Sequence, residues 1–339
     1  MTNDLNLGLT VGYWQKSVED LTETVQAAER LGYDSVFTAE AYGSDALTPL
    51  AWYGARTSKI KLGTAVTQIS ARTPTATAMH ALTLDGLSGG RLILGVGVSG
   101  PQVVEGWYGQ PFGRPLARTR EYVDVMRQVW SREQPVTNDG PHYPLPCRSG
   151  TGLGKSLKSI AHPVRSRIPV YLGAEGPKNV ALAAEIADGW IPFFLDPSMV
   201  ESVYGDALAD RHPDFDIVAP VTTVVTDDLD MALQIAKMPL TLYMGGMGAR
   251  EQNFHLDLIG RLGYAEEAHR VQELFLAGRR EEAVRAVPDE LADATSLLGP
   301  IERIKDRLTL WRDSPITTLL IAGVRDEPTL RALADVIRG

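Results

Sequence analysis

Residues 91–109 read RLILGVGVSGPQVVEGWYG, and within them Gly95, Gly97 and Gly100 are spaced as G-x-G-x-x-G behind an apolar run. That spacing lets backbone approach a dinucleotide pyrophosphate when it opens the first βα unit, passes straight into a helix and meets an acidic residue at the end of the next strand. Here three βα units precede it, PQVVEGWYGQPFGRP reads as a loop, and no following strand ends in Asp or Glu at the required distance. The pattern is therefore not read as a nicotinamide site. Two readings remain open: the glycines admit a flat or phosphorylated ligand at the strand mouth, or Gly95 and Gly97 relieve crowding in a barrel wall. Leu94, Val96 and Val98 are expected to face the helices.

Other segments carry further chemistry. In YLGAEGPKNV, Gly173, Gly176 and Pro177 precede a helix whose free N–H groups make a phosphate site, with Lys178 adding charge. In TAEAYGSD, Glu40 points into the same mouth, a costly place for a carboxylate without a polar partner, so a functional role is favoured over a structural ion pair. GTAVTQISAR supplies small Thr64 and Ala65, then polar Thr67 and Gln68, and the first strand brings Tyr13 or Trp14 to that face. His80 reads as a packed or surface residue. The six histidines have no metal-binding spacing, and no G-x-S-x-G elbow appears. Such a glycine-rich, aromatic mouth, poor in acids and bases, suits a large planar cofactor that carries the chemistry itself.

These segments need a scaffold. Short apolar runs alternate with amphipathic ones: strands at 5–13, 35–38, 60–66, 91–97, 168–174, 188–194, 217–226 and 317–323, and helices at 17–32 (capped by Ser17), 45–57, 73–87, 117–131, 177–187, 198–210, 227–237 and 326–337. Strands apolar on both faces ask for helices on both sides of a parallel sheet, and eight right-handed units close a (β/α)8 TIM barrel, a single domain spanning 1–339. Insertions at about 133–167, where TNDGPHYPLP suits a short hairpin, and 238–298, which reads as helical, follow the fourth and seventh strands. Both are expected at the C-terminal face, in contact with substrate.

The net charge of −9 and pI near 5.3, with basic residues scattered among acidic ones, argue against nucleic-acid or anionic-membrane partners. A single cysteine, Cys147, reads as a plain thiol and fits a reducing cytoplasm. The N-terminus lacks a signal-peptide pattern and no apolar run reaches the ~18 residues of a membrane span.

The runs AAERLGYDSVFTAEAYG, KLGTAV, RLILGVGVSGPQVVEGWYG and IPVYLGAEGPKNVALAAEIADGW together resemble the bacterial luciferase-like superfamily, over nearly the whole chain, and within it the actinobacterial oxidoreductases that use the deazaflavin coenzyme F420. The resemblance implies a barrel with the deazaflavin at its C-terminal mouth and a non-proline cis peptide at Ala65-Val66 against one face of the ring. It also implies that Glu40 contacts the ring, that Thr64 and Thr67 flank that bulge, and that Gly97, Val98, Ser99 and Gln102 line the cofactor. Gly173, Ala174, Glu175, Gly176, Pro177 and Lys178 would hold its phosphate. Ala41 stands where relatives acting on sugar phosphates or methylene-tetrahydromethanopterin have histidine, and Gly100 where the sugar-phosphate enzymes have glutamate, which argues against those substrates. Tyr13, Glu40 and Tyr108 are the candidate proton donors by position. The expected activity is hydride transfer between the deazaflavin C5 and a small organic substrate. An FMN-dependent monooxygenase and a non-catalytic flavin- or deazaflavin-binding protein are the alternatives, and a homodimer is a family expectation.

Overall fold

The computed structural model describes residues 4–12, 16–248 and 253–338. Ten strands appear in chain order: β1 Asn6–Thr10, β2 Ser35–Thr38, β3 Lys61–Thr64, β4 Thr67–Gln68, β5 Leu92–Gly97, β6 Val170–Gly173, β7 Gly189–Ile191, β8 Asp216–Val225, β9 Ser296–Gly299 and β10 Thr318–Ala322. Every pairing is parallel. β3 and β4 are two halves of one stave, interrupted at the cis peptide Ala65-Val66, and both pair with β5, at Leu62 with Leu92 and at Thr67 with Val96. β10 pairs with both β8 and β1, which closes an eight-stave (β/α)8 TIM barrel.

The barrel follows from two-sided burial. Phe37, Ile93, Tyr171, Ile191, Val218 and Leu320 pack inside it, with Ala65 and Val66 against them. Leu92, Leu94 and Val96 alternate outward into the core shared with the helices, as does the partly buried Val98. Gly95 and Gly97 take the inward positions left over. A Cβ on Gly97 would lie 2.6 Å from Val66 Cγ2, and one on Gly95 would run into the Thr64 carbonyl. Both glycines therefore relieve crowding in the wall.

At the N-terminal end, aspartates tie strand starts together. Asp34 accepts from the N–H of Leu7 at 2.8 Å, and Asp188 from that of Val170 at 2.9 Å. Asp85 accepts from Leu92 N–H at 3.1 Å and from both arms of Arg165, at 2.7 and 3.1 Å. Asp216 accepts from Thr317 Oγ1 and from the Tyr171 hydroxyl, whose pKa burial and that carboxylate push up.

Several local expectations need correction. The first helix is Thr22–Arg30, not 17–32: Ser17 does not cap it, and Asp20 instead accepts from Thr22 N–H at 2.9 Å. The stretch after Gly100, read as a loop, begins with a helix Pro101–Gly106, which Pro101 starts and which buries Val103 and Val104. The 133–167 segment follows the helix Pro115–Ser131, and that helix has already returned the chain to the N-terminal face. The segment starts there, doubles back along the helix through the antiparallel Asn138–Leu145 bridge, and ends with Arg165 on Asp85. It does not extend from the C-terminal face as expected.

The second insertion does lie at that face. The helix expected to stop near 237 runs on as Leu229–Gly246 and packs with the helices after it and β9 around a separate apolar core, including Ala232, Ala236, Leu240, Ile259, Val271 and Leu298. β9, which the sequence reading missed, extends the sheet beside the end of β8.

Candidate active site at the barrel mouth

Glu40 follows β2 and is 7% exposed. A buried carboxylate needs compensation, and this one is fully engaged. Its Oε1 accepts from Thr67 Oγ1 at 2.6 Å, from Gln68 N–H at 3.0 Å and from Arg72 at 2.6 Å; its Oε2 accepts from Arg72 at 3.1 Å and from Ala46 N–H at 3.1 Å. Burial opposes the charge, yet the bonds from Arg72, Thr67 and Gln68 outweigh it and hold the carboxyl below its usual range. The ion pair that the sequence reading disfavoured is present. Arg72, which that reading did not use, is the cation a buried carboxylate at this position requires.

Gln68 donates from its amide to the Glu40 carbonyl at 3.0 Å. Its Oε1 and the Ser70 Oγ are buried polar atoms with no partner, two residues apart in sequence just beyond the cis bulge. Such atoms are costly unless something meets them. Thr64, by contrast, closes on the wall: its hydroxyl donates to Gly95 O at 2.7 Å and accepts from Gly95 N–H at 2.9 Å. Thr64 is fully buried.

Val66, Gly97 and Gly173 meet where β4 begins and β5 and β6 end. Beyond Gly97, Val98 and Ser99 are half-buried, and Ser99 has φ 60°. The helix Pro177–Ile186 starts at Gly176 without a side-chain cap. Pro177 has no N–H, and the N–H groups of Gly176 and Lys178 have no partner among the described residues. These donors form a positive helix end. Ala174 is buried, whereas Pro177 and Lys178 are exposed. Glu175 sits within the same loop, its carbonyl accepting from Tyr204 at 2.9 Å and Arg261 at 3.1 Å. Its Oε1 stands 2.9 Å from His255 Nδ1 without an aligned hydrogen bond, a close contact that the sequence reading missed.

Tyr108 donates from its hydroxyl to the Ala41 carbonyl at 3.1 Å. Burial, and then the charge of Glu40, push its pKa up, so it is a protonated donor at neutral pH. Gln102 is exposed and lines a cavity with Tyr42 and Trp107. Tyr13 and Trp14 lie outside the described residues. His80 is on the surface, its ring bonded to the Ala76 carbonyl. Among the described residues no cluster fit to hold a metal occurs, and no helix is long and apolar enough to cross a membrane.

Comparison with known proteins adds to this geometry. The model of the luciferase-like monooxygenase family matches residues 5–318. The chain is 53% identical over 335 residues, 95% of this chain and 96% of the other, to a protein of Mycobacterium tuberculosis provisionally named a coenzyme F420-dependent oxidoreductase. It is 28% identical over 316 residues, 90% of this chain and 89% of the other, to the 5,10-methylenetetrahydromethanopterin reductase of Archaeoglobus fulgidus. Among solved structures, the coenzyme F420-dependent tetrahydromethanopterin reductase of Methanopyrus kandleri superposes with a TM-score of 0.79 at 23% identity, covering 98% of this chain and 97% of that one.

Proposed function

Since the chain belongs to the luciferase-like monooxygenase family, we propose that it is an F420-dependent oxidoreductase that moves a hydride between the deazaflavin and a small organic substrate. The observation that carries this reading is the 53% identity, over nearly the full length of both chains, to the mycobacterial protein bearing that name. The mouth fits such a group: two orphaned buried oxygens, on Gln68 and Ser70, await the polar edge of a ring, and the N–H groups at Gly176 and Lys178 await a phosphate. Bound there, the deazaflavin would supply the hydride acceptor or donor at its C5.

The chain's own residues do the rest. Ala65 and Val66 present the cis bulge to the ring, with Gly97 and Gly173 leaving room for Val66. Glu40 has no acceptor capacity to spare, so it positions the Thr67–Gln68 segment and is not itself the proton carrier. Tyr108, held protonated beside Ala41, is the candidate donor to substrate oxygen. Val98, Ser99 and Gln102 are carried forward as lining of the cofactor side. A homodimer and a cytoplasmic location are also proposed; the exposed apolar Leu153, Leu157 and Ile160 support the first and the exposed thiol of Cys147 the second.

Fluorescence titration with oxidised F420 and with FMN tests the cofactor, and FMN binding without F420 binding overturns it. Loss of the bound deazaflavin's visible absorbance on adding alcohols tests turnover. No change across alcohols, aldehydes, imines and enones in either direction would leave a binding protein. Light scattering of the purified protein reads the dimer.

A further inference from the structure

We propose that the cavity beside the helix Pro101–Gly106 is the substrate pocket, and that it takes a neutral, largely apolar ketone or alcohol. This rests on the oxidoreductase reading above and names its substrate class. The cavity, about 330 Å³, lies between the Tyr42 loop, that helix and the end of the helix Leu229–Gly246. Its volume suits a small ligand.

Tyr42, Val103, Trp107 and Met247 line it together with the exposed Gly106 and Gly246. Among the described residues no charged side chain lines it, and the Gln102 amide and the Tyr42 hydroxyl are its polar side-chain groups. A phosphate or carboxylate would lose its water there with no cation in return among the described residues. Trp107 is 64% exposed and Tyr42 46%, and their rings touch at a tilt, centroids 6.5 Å apart, so together they offer one continuous aromatic surface to solvent. Surface of this kind marks a binding site. The Tyr42 hydroxyl reaches Met247 Sδ at 3.9 Å, which ties the loop to the insertion helix.

Position supports the same assignment. Tyr42 is two residues beyond Glu40, and Trp107 directly precedes Tyr108, whose hydroxyl sits on the Ala41 carbonyl. An apolar tail lying against the outer face of the two rings would leave its oxygen function toward the proposed proton donor. When a carbonyl is reduced there, hydride from the reduced deazaflavin adds to carbon and a proton reaches oxygen; oxidation of the alcohol reverses both.

Gly106 provides the test. A Cβ there meets nothing within 4 Å, so Gly106→Trp sets an indole at the cavity's lining with no clash at its Cβ. Calorimetric binding of 2-octanone is measured for the parent and for this variant, with glucose 6-phosphate as the charged comparator and F420 affinity measured separately. The parent should bind the ketone and not the sugar phosphate. Gly106→Trp should weaken the ketone about tenfold or more while leaving F420 affinity unchanged. Trp107→Ala, at an exposed position that does not hold the fold, should weaken it likewise and stands in if the first variant does not fold. The proposal is overturned if the parent fails to bind the ketone, if glucose 6-phosphate binds as well, if saturating F420 expels the ketone, or if folded variants bind like the parent. Ketone binding as expected with no F420 binding would instead sink the cofactor reading and leave the pocket standing.

Discussion

The two ends of the barrel use polar groups in opposite ways. At the N-terminal end Asp34, Asp85, Asp188 and Asp216 each accept hydrogen bonds that join neighbouring strands, and Arg165 closes bidentately on Asp85. At the C-terminal end one carboxylate, Glu40, is satisfied by a single arginine and its neighbours, while Gln68 Oε1, Ser70 Oγ and two N–H groups near Gly176 are left without partners. A polar group committed to the fold contributes stability; one left open costs stability and is available to a ligand. The contrast separates a foundation from a receptor within the same eight strands.

That contrast can be broken or sharpened experimentally. The largest effect is expected from Gly95→Ala, in the wall that both ends share. Its methyl meets the Thr64 carbonyl, which is backbone and cannot swing aside, so a loss of more than about 3 kcal/mol is expected in urea unfolding. A variant as stable as the parent would end the crowding account.

Asp85→Ala comes next. It strands Arg165 and the Leu92 N–H, and should cost about 2–4 kcal/mol in urea unfolding while the folded fraction binds F420 with unchanged affinity. Weakened affinity in that fraction would mean that the two ends are coupled.

Glu40→Gln should show the reverse balance: about 1–3 kcal/mol of stability lost, but about 10- to 100-fold of cofactor affinity, because Thr67 and Gln68 lose their anchor. Its pH dependence has a definite sign. The Glu40 pKa is depressed in the folded protein, so its contribution is fully present above the ordinary value of 4.5 and is lost as pH falls through the lower folded value. The stability gap between parent and Glu40→Gln should therefore hold down to about pH 4.5 and narrow below it, as followed by denaturant titrations at several pH values. A gap that narrows already near neutrality would contradict the pairing with Arg72.

Gly176→Ala is the smallest. Nothing lies within 4 Å of the added methyl and φ is −80°, so about 0.5 kcal/mol is expected from the altered helix cap. F420 affinity should still fall a few-fold if phosphate approaches this backbone closely. Unchanged affinity would move the phosphate elsewhere.

The sequence disclosed the barrel because its staves are buried on both faces, and runs such as IKLGTAV and RLILGVG carry that signature without help from context. The inward glycines of β5 were legible for the same reason, since alternation leaves Gly95 and Gly97 no other direction to face. The helix Pro101–Gly106 was hidden by its own brevity and by the glycines and prolines around it. The placement of 133–167 was recoverable but misread: a segment that follows a helix emerges at the opposite end from one that follows a strand. Arg72 as partner to Glu40 could have been sought from the cost of a buried carboxylate, since QISAR offers the nearest cation. The contact between Glu175 and His255 had no local signal, because it joins residues eighty positions apart across two βα units.

The helical insertion has an apolar core of its own, built from Ala232 and Leu240 through Val271 to Leu298, at whose edge the buried Lys237 pairs with the exposed Asp289 at 2.5 Å. A module that satisfies its own interior can be diversified on the surfaces that do not meet the barrel, provided Arg261 and His255 keep their contacts to Glu175. Evolution, or a library confined to that cap, can therefore change the molecules admitted at one wall of the mouth while the machinery beneath is inherited intact.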